Sequence, residues 1–158
     1  IAKGYALDRG KMAARSAGAT AGLFDLGGNL IVFGDQAGGE VGIQHPLDRE
    51  KVVARISLRD RSVATSGGYE KYVTIDGTRY SHIIDPRTGH PADALASVTV
   101  VAEEGTAADA LATACVVLGR DACFRLIRKR DQTEVAIVRF EGESLQIEVS
   151  EGLTLLDP

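Results

Sequence analysis

The sequence predicts a single α/β (α+β) domain with a mixed, largely antiparallel sheet and flanking helices. Three observations carry this. The chain has 158 residues, about the length of one domain. Alternating apolar residues flank two turn dipeptides, Asp76-Gly77 and Glu141-Gly142, as in antiparallel hairpins. Helical spacing is confined to residues 1–18 and 105–131, so strands and helices do not alternate as in a doubly wound sheet.

The elements follow in order. "IAKGYALDRGKMAARSAG" (1–18) has helical spacing and a C-terminal stop at Gly18. "AGLFDLGGNLIVFGD" (21–35) gives two strand pieces around Gly27-Gly28, and "GGEVGIQHP" (38–46) a short strand ending at proline. "VVARISLRDRSVATSGG" (52–68) gives two further strands and a Thr-Ser-Gly-Gly loop. "YEKYVTIDGTRYSHII" (69–84) is the clearest hairpin, and "DPRTGHPAD" (85–93) is loop by composition. "ALASVTVVAEE" (94–104) is an apolar, β-branched strand. Residues 105–131 read as two helices broken near Gly119, and a hairpin (134–150) closes the chain.

Composition excludes several classes. The hydrophobic share is 44% and the charged share 25%, ordinary for a globular protein. The formal charge is −4, with acids and bases well mixed, which argues against nucleic-acid binding. A local pocket can still hold a phosphate, because net charge does not report on pockets. Cys115 and Cys123 have neither CxxC spacing nor an obvious histidine partner. They read as two small buried hydrophobic residues rather than a zinc site or a redox pair, with a disulfide left open. No apolar run approaches the ~20 residues that span a bilayer, and no signal peptide is visible. The chain opens on Ile1 inside a helical pattern, so the helix is expected to start upstream.

Four stretches carry candidate chemistry. In "SHIIDPRTG", His82 sits near a strand end, where side chains reach loop-lined sites. Asp85-Pro86 begins a turn, and Arg87 and Thr88 are candidate phosphate contacts. The same residues also serve as a plain Asp-Pro turn with a satisfied histidine. In "DALAT", Asp109 and Thr113 are four apart on a helix and share a face. A carboxylate and a hydroxyl suit a hard cation such as magnesium. An aspartate in an early helical turn with a back-bonded threonine fits the residues too. The glycine turns "DLGGN" (25–29) and "ATSGG" (64–68) let backbone amides approach a phosphate or a flat ring, and equally turn hairpin corners. Neither matches a common nucleotide fingerprint. Lys3 of "IAKG" is either a phosphate or ring contact or a solvated lysine.

Taken together, "IAKGYALDR", "DLGGN", "VATSGGY", "SHIIDPRTGHP" and "DALATA" occur in one order over residues 1 to about 119. In that order they resemble the ApbE-like family, the FAD:protein FMN transferases. The resemblance implies magnesium-dependent cleavage of FAD at its pyrophosphate. FMN passes to a threonine or serine hydroxyl of a target protein, and AMP leaves. Some members hydrolyse FAD instead, and a non-catalytic flavin-binding module is a further alternative. Carried over, Asp109 and Thr113 are metal ligands and Lys3 contacts FAD. His82 and Ile83 lie against the nucleotide, with His82 the expected base. Thr65, Ser66, Gly27, Gly28 and Thr88 line the same pocket. The partners implied are FAD and an acceptor protein, with no nucleic acid. A cell-envelope or periplasmic location follows from the family, with membrane contact only through an anchor outside this chain. Residues 1–158 are expected to be the C-terminal portion of the family's domain, without the N-terminal part that supplies much of the FAD pocket. Alone, they are expected to bind FAD weakly and to transfer FMN poorly.

Overall fold

The structure is a computed structural model that describes residues 1–34, 38–68 and 72–158, with the side chains of Thr78 and Arg79 left aside. Three residues of the expected 69–84 hairpin (69–71) lie outside the described residues, as does Asp35 of the 21–35 stretch.

Helix α1 spans Ala2–Ser16. Strands β1 (Gly22–Leu26) and β2 (Asn29–Phe33) form a hairpin, paired from Gly22↔Phe33 to Leu26↔Asn29. Its turn residues Gly27 and Gly28 have φ of 60° and 83°. Two consecutive positive φ values match the twist of a tight hairpin and are cheap only for residues such as glycine. Strands β3 (Gly38–His45) and β4 (Asp48–Arg59) form a long arm, with register shifts on both sides of Gln44. Strand β4 begins four residues earlier than the apolar pattern predicts. Strands β5 (Ser62–Gly67), β6 (Tyr72–Ile75), β7 (Thr78–Ser81) and β8 (Ser97–Ala102) follow. Helices α2 (Gly105–Leu118) and α3 (Arg120–Ile127) break at Gly119. Strands β9 (Glu134–Glu141) and β10 (Ser144–Val149) pair through Glu141↔Ser144, so the turn is Gly142-Glu143, one residue later than expected. A two-residue strand, β11 (Leu155–Leu156), ends the pattern.

Six strands form the main sheet in the order β1-β2-β5-β8-β9-β10, and β11-β4-β3 form a second, smaller sheet. Among the described residues every strand pairing is antiparallel. The α+β class with flanking helices is therefore the observed one. The central strands of the main sheet are buried on both faces. Val98, Val100, Val135 and Ile137 pack against Ala108, Ala112 and Val116 of α2 and Ile127 of α3. Val63, Val101, Ala136 and Val138 point the other way, onto Ile43, Ala54, Ile56 and Leu58 of the small sheet. Alternation along each strand produces this three-layer arrangement.

The cysteines take the alternative that their spacing left open. Cys115 of α2 and Cys123 of α3, eight positions apart, form a disulfide, and neither is a free thiol. The chain reverses at Gly119, which brings their Cα atoms to 4.8 Å, inside the range a disulfide bridges. Both residues are fully buried, so the expectation of small buried groups describes their packing but not their bonding. Among the described residues, no helix is long and apolar enough to cross a membrane.

Candidate functional site

Helices α1 and α2 meet backbone to backbone. A Cβ on Gly4 would fall 2.1 Å from the Gly105 carbonyl oxygen, and one on Gly105 would fall 2.7 Å from that of Gly4. Only glycine permits this approach. It carries the first turn of α1 onto Asp109, in the second turn of α2. The Gly4 N–H donates to Asp109 Oδ2 at 2.9 Å, and the Ile1 nitrogen lies 2.9 Å from the same oxygen. Asp8 supports the contact from the next turn. Its carboxylate accepts from Gly105 N–H (2.7 Å), Thr106 N–H (2.8 Å) and Thr106 Oγ1 (2.5 Å). It caps α2, whose own N-cap, Glu104, makes no side-chain capping bond.

Asp109 is 7% exposed. Burial pushes its pKa up, while the Gly4 N–H and nearby Asn29 favour the ionised form. Asn29 is itself buried beside Asp109, and its Nδ2 has no hydrogen-bond partner of ordinary geometry. One turn along α2, Thr113 Oγ1 lies 2.9 Å from Ser66 Oγ of β5 and donates to the Asp109 carbonyl at 3.4 Å. Thr65, on the opposite face of β5, shares a hydrogen bond of 2.8 Å with Thr99 of β8. Lys3 Nζ donates to the Gly27 carbonyl at 3.1 Å, linking α1 to the β1–β2 turn.

These groups surround one cleft of about 750 Å³, within the size range of small-molecule sites. Lys3, Gly27, Gly28, Thr65, Ser66, His82, Ile83, Asp109 and Thr113 all line it. His82 is exposed and Ile83 buried, in the segment just after β7.

Thr88 does not line the cleft. Its hydroxyl accepts from the His90 N–H at 3.2 Å, and its N–H donates to the Asp85 carbonyl at 3.2 Å, so it shapes its own loop. Arg87 is also taken up locally. Its guanidinium donates to both Asp85 oxygens, at 2.9 and 2.7 Å, and to the Val117 carbonyl at 3.2 Å. It ties the loop to the end of α2. The same guanidinium, with the Arg87 N–H, lowers the Asp85 pKa to about 2.

Several lining residues stand outside the sequence motifs. Thr99 was legible as the partner facing Thr65 only once β5 and β8 were known to pair. Gln44, Arg49 and Lys51 come from the β3–β4 arm, which contributes none of those motifs.

Asp109 and Thr113 offer an ionised carboxylate and a hydroxyl, with the Ser66 hydroxyl beside them. This all-oxygen set suits magnesium, which keeps several waters and takes few protein ligands. No cluster of three His, Cys, Asp or Glu groups able to hold a metal occurs among the described residues. A cation here would be completed by water and ligand oxygens.

Residues 1–137 match the model of the ApbE family. A Treponema pallidum protein named FAD:protein FMN transferase is 41% identical over 142 residues, covering 82% of this chain and 39% of that protein. An Escherichia coli K12 protein of the same name is 36% identical over 151 residues, covering 92% of this chain and 43% of its own length. The crystal structure of the ApbE protein of Thermotoga maritima superimposes with a TM-score of 0.84 at 40% identity, over 96% of this chain and 50% of that one. The flavin transferase ApbE of Vibrio cholerae gives 0.80 at 31% identity, over 96% of this chain and 49% of that one. The chain thus spans about two fifths of the length of these curated relatives.

Proposed function

Because the chain belongs to the ApbE family, we propose that it contributes the transfer site of a flavin transferase, moving FMN from FAD to a threonine or serine hydroxyl of a target protein and releasing AMP. The observation that carries this reading is the convergence of five separate segments, around residues 3, 27, 65, 82 and 109, on one cleft.

The acceptor oxygen attacks the phosphorus of the FMN half. The P–O bond to the AMP half breaks, AMP leaves with its phosphate, and the hydroxyl proton passes to a base. A serine or threonine hydroxyl is a weak nucleophile at neutral pH, so a positioned base helps. We assign that role to His82, which is exposed and lines the cleft. Asp109 and Thr113 would hold magnesium, which supplies charge neutralisation on the phosphate oxygens when bound. Lys3, anchored to the Gly27 carbonyl, presents a cation from the first turn of α1. Ile83, buried beside the cleft, offers the nucleotide an apolar contact, and the glycine turn lets the backbone approach it closely. The same reading takes the protein to the cell envelope, an oxidising setting in which the Cys115–Cys123 disulfide would persist.

The test incubates the full-length purified protein with FAD, magnesium and a protein bearing an acceptor threonine. The expected products are AMP and covalent flavin, seen as fluorescence that survives a denaturing gel. Free FMN without covalent product would make water the acceptor and overturn the transferase reading. His82→Ala should slow transfer by about 100-fold or more, with FAD affinity changed far less. A near-normal rate would remove His82 as the base.

A further inference from the structure

We propose that Arg49 and Lys51 of β4 form a second cationic wall of the cleft and bind the pyrophosphate that joins the two halves of the dinucleotide. The inference rests on the flavin-nucleotide reading above and assigns it two residues outside the family-like motifs.

The charge distribution is the first support. The chain carries a formal −4, yet the cleft is lined by Lys3, Arg49 and Lys51, with Asp109 the one carboxylate among its described lining residues. A cleft of one sign within a chain of the other concentrates counter-ions, because its low-dielectric walls focus the field. Each phosphate of a dinucleotide carries a negative charge, which makes it the complementary ligand. Asp109 and Thr113 lie on α2, so their phosphate contact comes from the helical side. Arg49 and Lys51 come from the separate β3–β4 arm and approach from another side.

The arm is built to hold them. Arg49 and Lys51 both line the cleft, from the stretch of β4 where its pairing with β3 is irregular. Gln44 Nε2 donates to the Arg49 carbonyl at 2.7 Å, fixing the backbone that bears the guanidinium. Asp48 accepts from the Glu50 N–H at 3.1 Å and pairs with Lys51 Nζ at 2.9 Å. The register shifts beside Gln44 are the kind of irregularity that re-aims side chains next to a site. Lys51 is 71% exposed, so its ammonium can exchange the weak Asp48 pair for a phosphate at little cost.

FAD titrations with R49Q/K51Q, R49K/K51R and wild type, each made in the full-length protein and run over a range of salt, test the inference. R49Q/K51Q should weaken FAD binding about tenfold and make it less salt-dependent, with an unchanged melting temperature. R49K/K51R, which keeps both charges, should restore most of the affinity and the salt slope. Wild-type affinity and slope in R49Q/K51Q would overturn this inference and leave the flavin reading standing. So would a loss that R49K/K51R shares in full, because shape rather than charge would then be responsible. Wild type that binds no FAD at any salt would overturn the flavin reading itself, and this inference with it.

Discussion

Gly4 sets the geometry of Asp109. Its missing side chain lets the α1 backbone touch that of α2, and its N–H then reaches the carboxylate. A methyl group there would overlap the Gly105 carbonyl oxygen at 2.1 Å and Asp109 Cβ at 2.8 Å. Both obstacles belong to a packed helix and neither can swing aside. Gly4→Ala is therefore expected to part the helices and to cost about 3 kcal/mol, read as a lower urea midpoint with the slope unchanged. An unaltered midpoint would show that the two helices separate freely. At this scale much of the site was legible, because residues such as Asp109, Thr113 and His82 carry chemistry that short motifs display. Asn29 and the donors on Asp109 were not, since their roles depend on contacts such as Gly4 to Asp109, made across 105 positions of sequence. Thr88 misled for the opposite reason. A hydroxyl in a reactive-looking loop satisfies its neighbour's backbone as readily as it meets a ligand.

Helix α2 presents Asp109 and Thr113 only if its first turn forms, and that turn is capped from another element. Asp8 of α1 supplies both oxygens to the Gly105 and Thr106 N–H groups. Asp8→Ala removes these bonds and leaves two helix donors without their acceptor, at an expected cost of about 1–2 kcal/mol. Asp8→Asn keeps one acceptor oxygen and should lose less. Denaturant melts of the two variants check this, and equal losses would make the charge rather than the cap the source of the stability. Elements bounded by turn chemistry were legible: Gly27-Gly28 and Asp76-Gly77 each sit in the turn their composition predicts. β11 was not, because two residues are too few to show a period. Spacing could only leave the disulfide open, because its formation depends on how α3 folds back on α2.

At the scale of the whole molecule, the antiparallel character was legible in the hairpins, but the strand order was not. The β3–β4 arm leaves the main sheet and β5 pairs with β2 instead, a choice made by the two cores that form on either face. The helical and sheet layers are also clamped at the surface by Glu148 of β10. Its carboxylate accepts from Arg120 Nε of α3 at 2.8 Å and from Arg139 Nε of β9 at 3.0 Å. The two guanidinium groups, Arg120 first, lower the Glu148 pKa from 4.5 to about 2. A carboxyl whose pKa is depressed on folding binds protons more readily when unfolded. Its stabilisation is therefore fully present above about pH 4.5 and fades as the pH falls towards 2. The side chain is 26% exposed, so screening by solvent limits the effect to about 1 kcal/mol. Glu148→Gln should thus melt below wild type at pH 7, and the two melting temperatures should converge as the pH falls from 4.5 to 2. Added salt at pH 7 should narrow the same gap, because exposed ion pairs are screened. A gap constant across that acid range would show that Glu148 contributes through packing, with its charge playing no part.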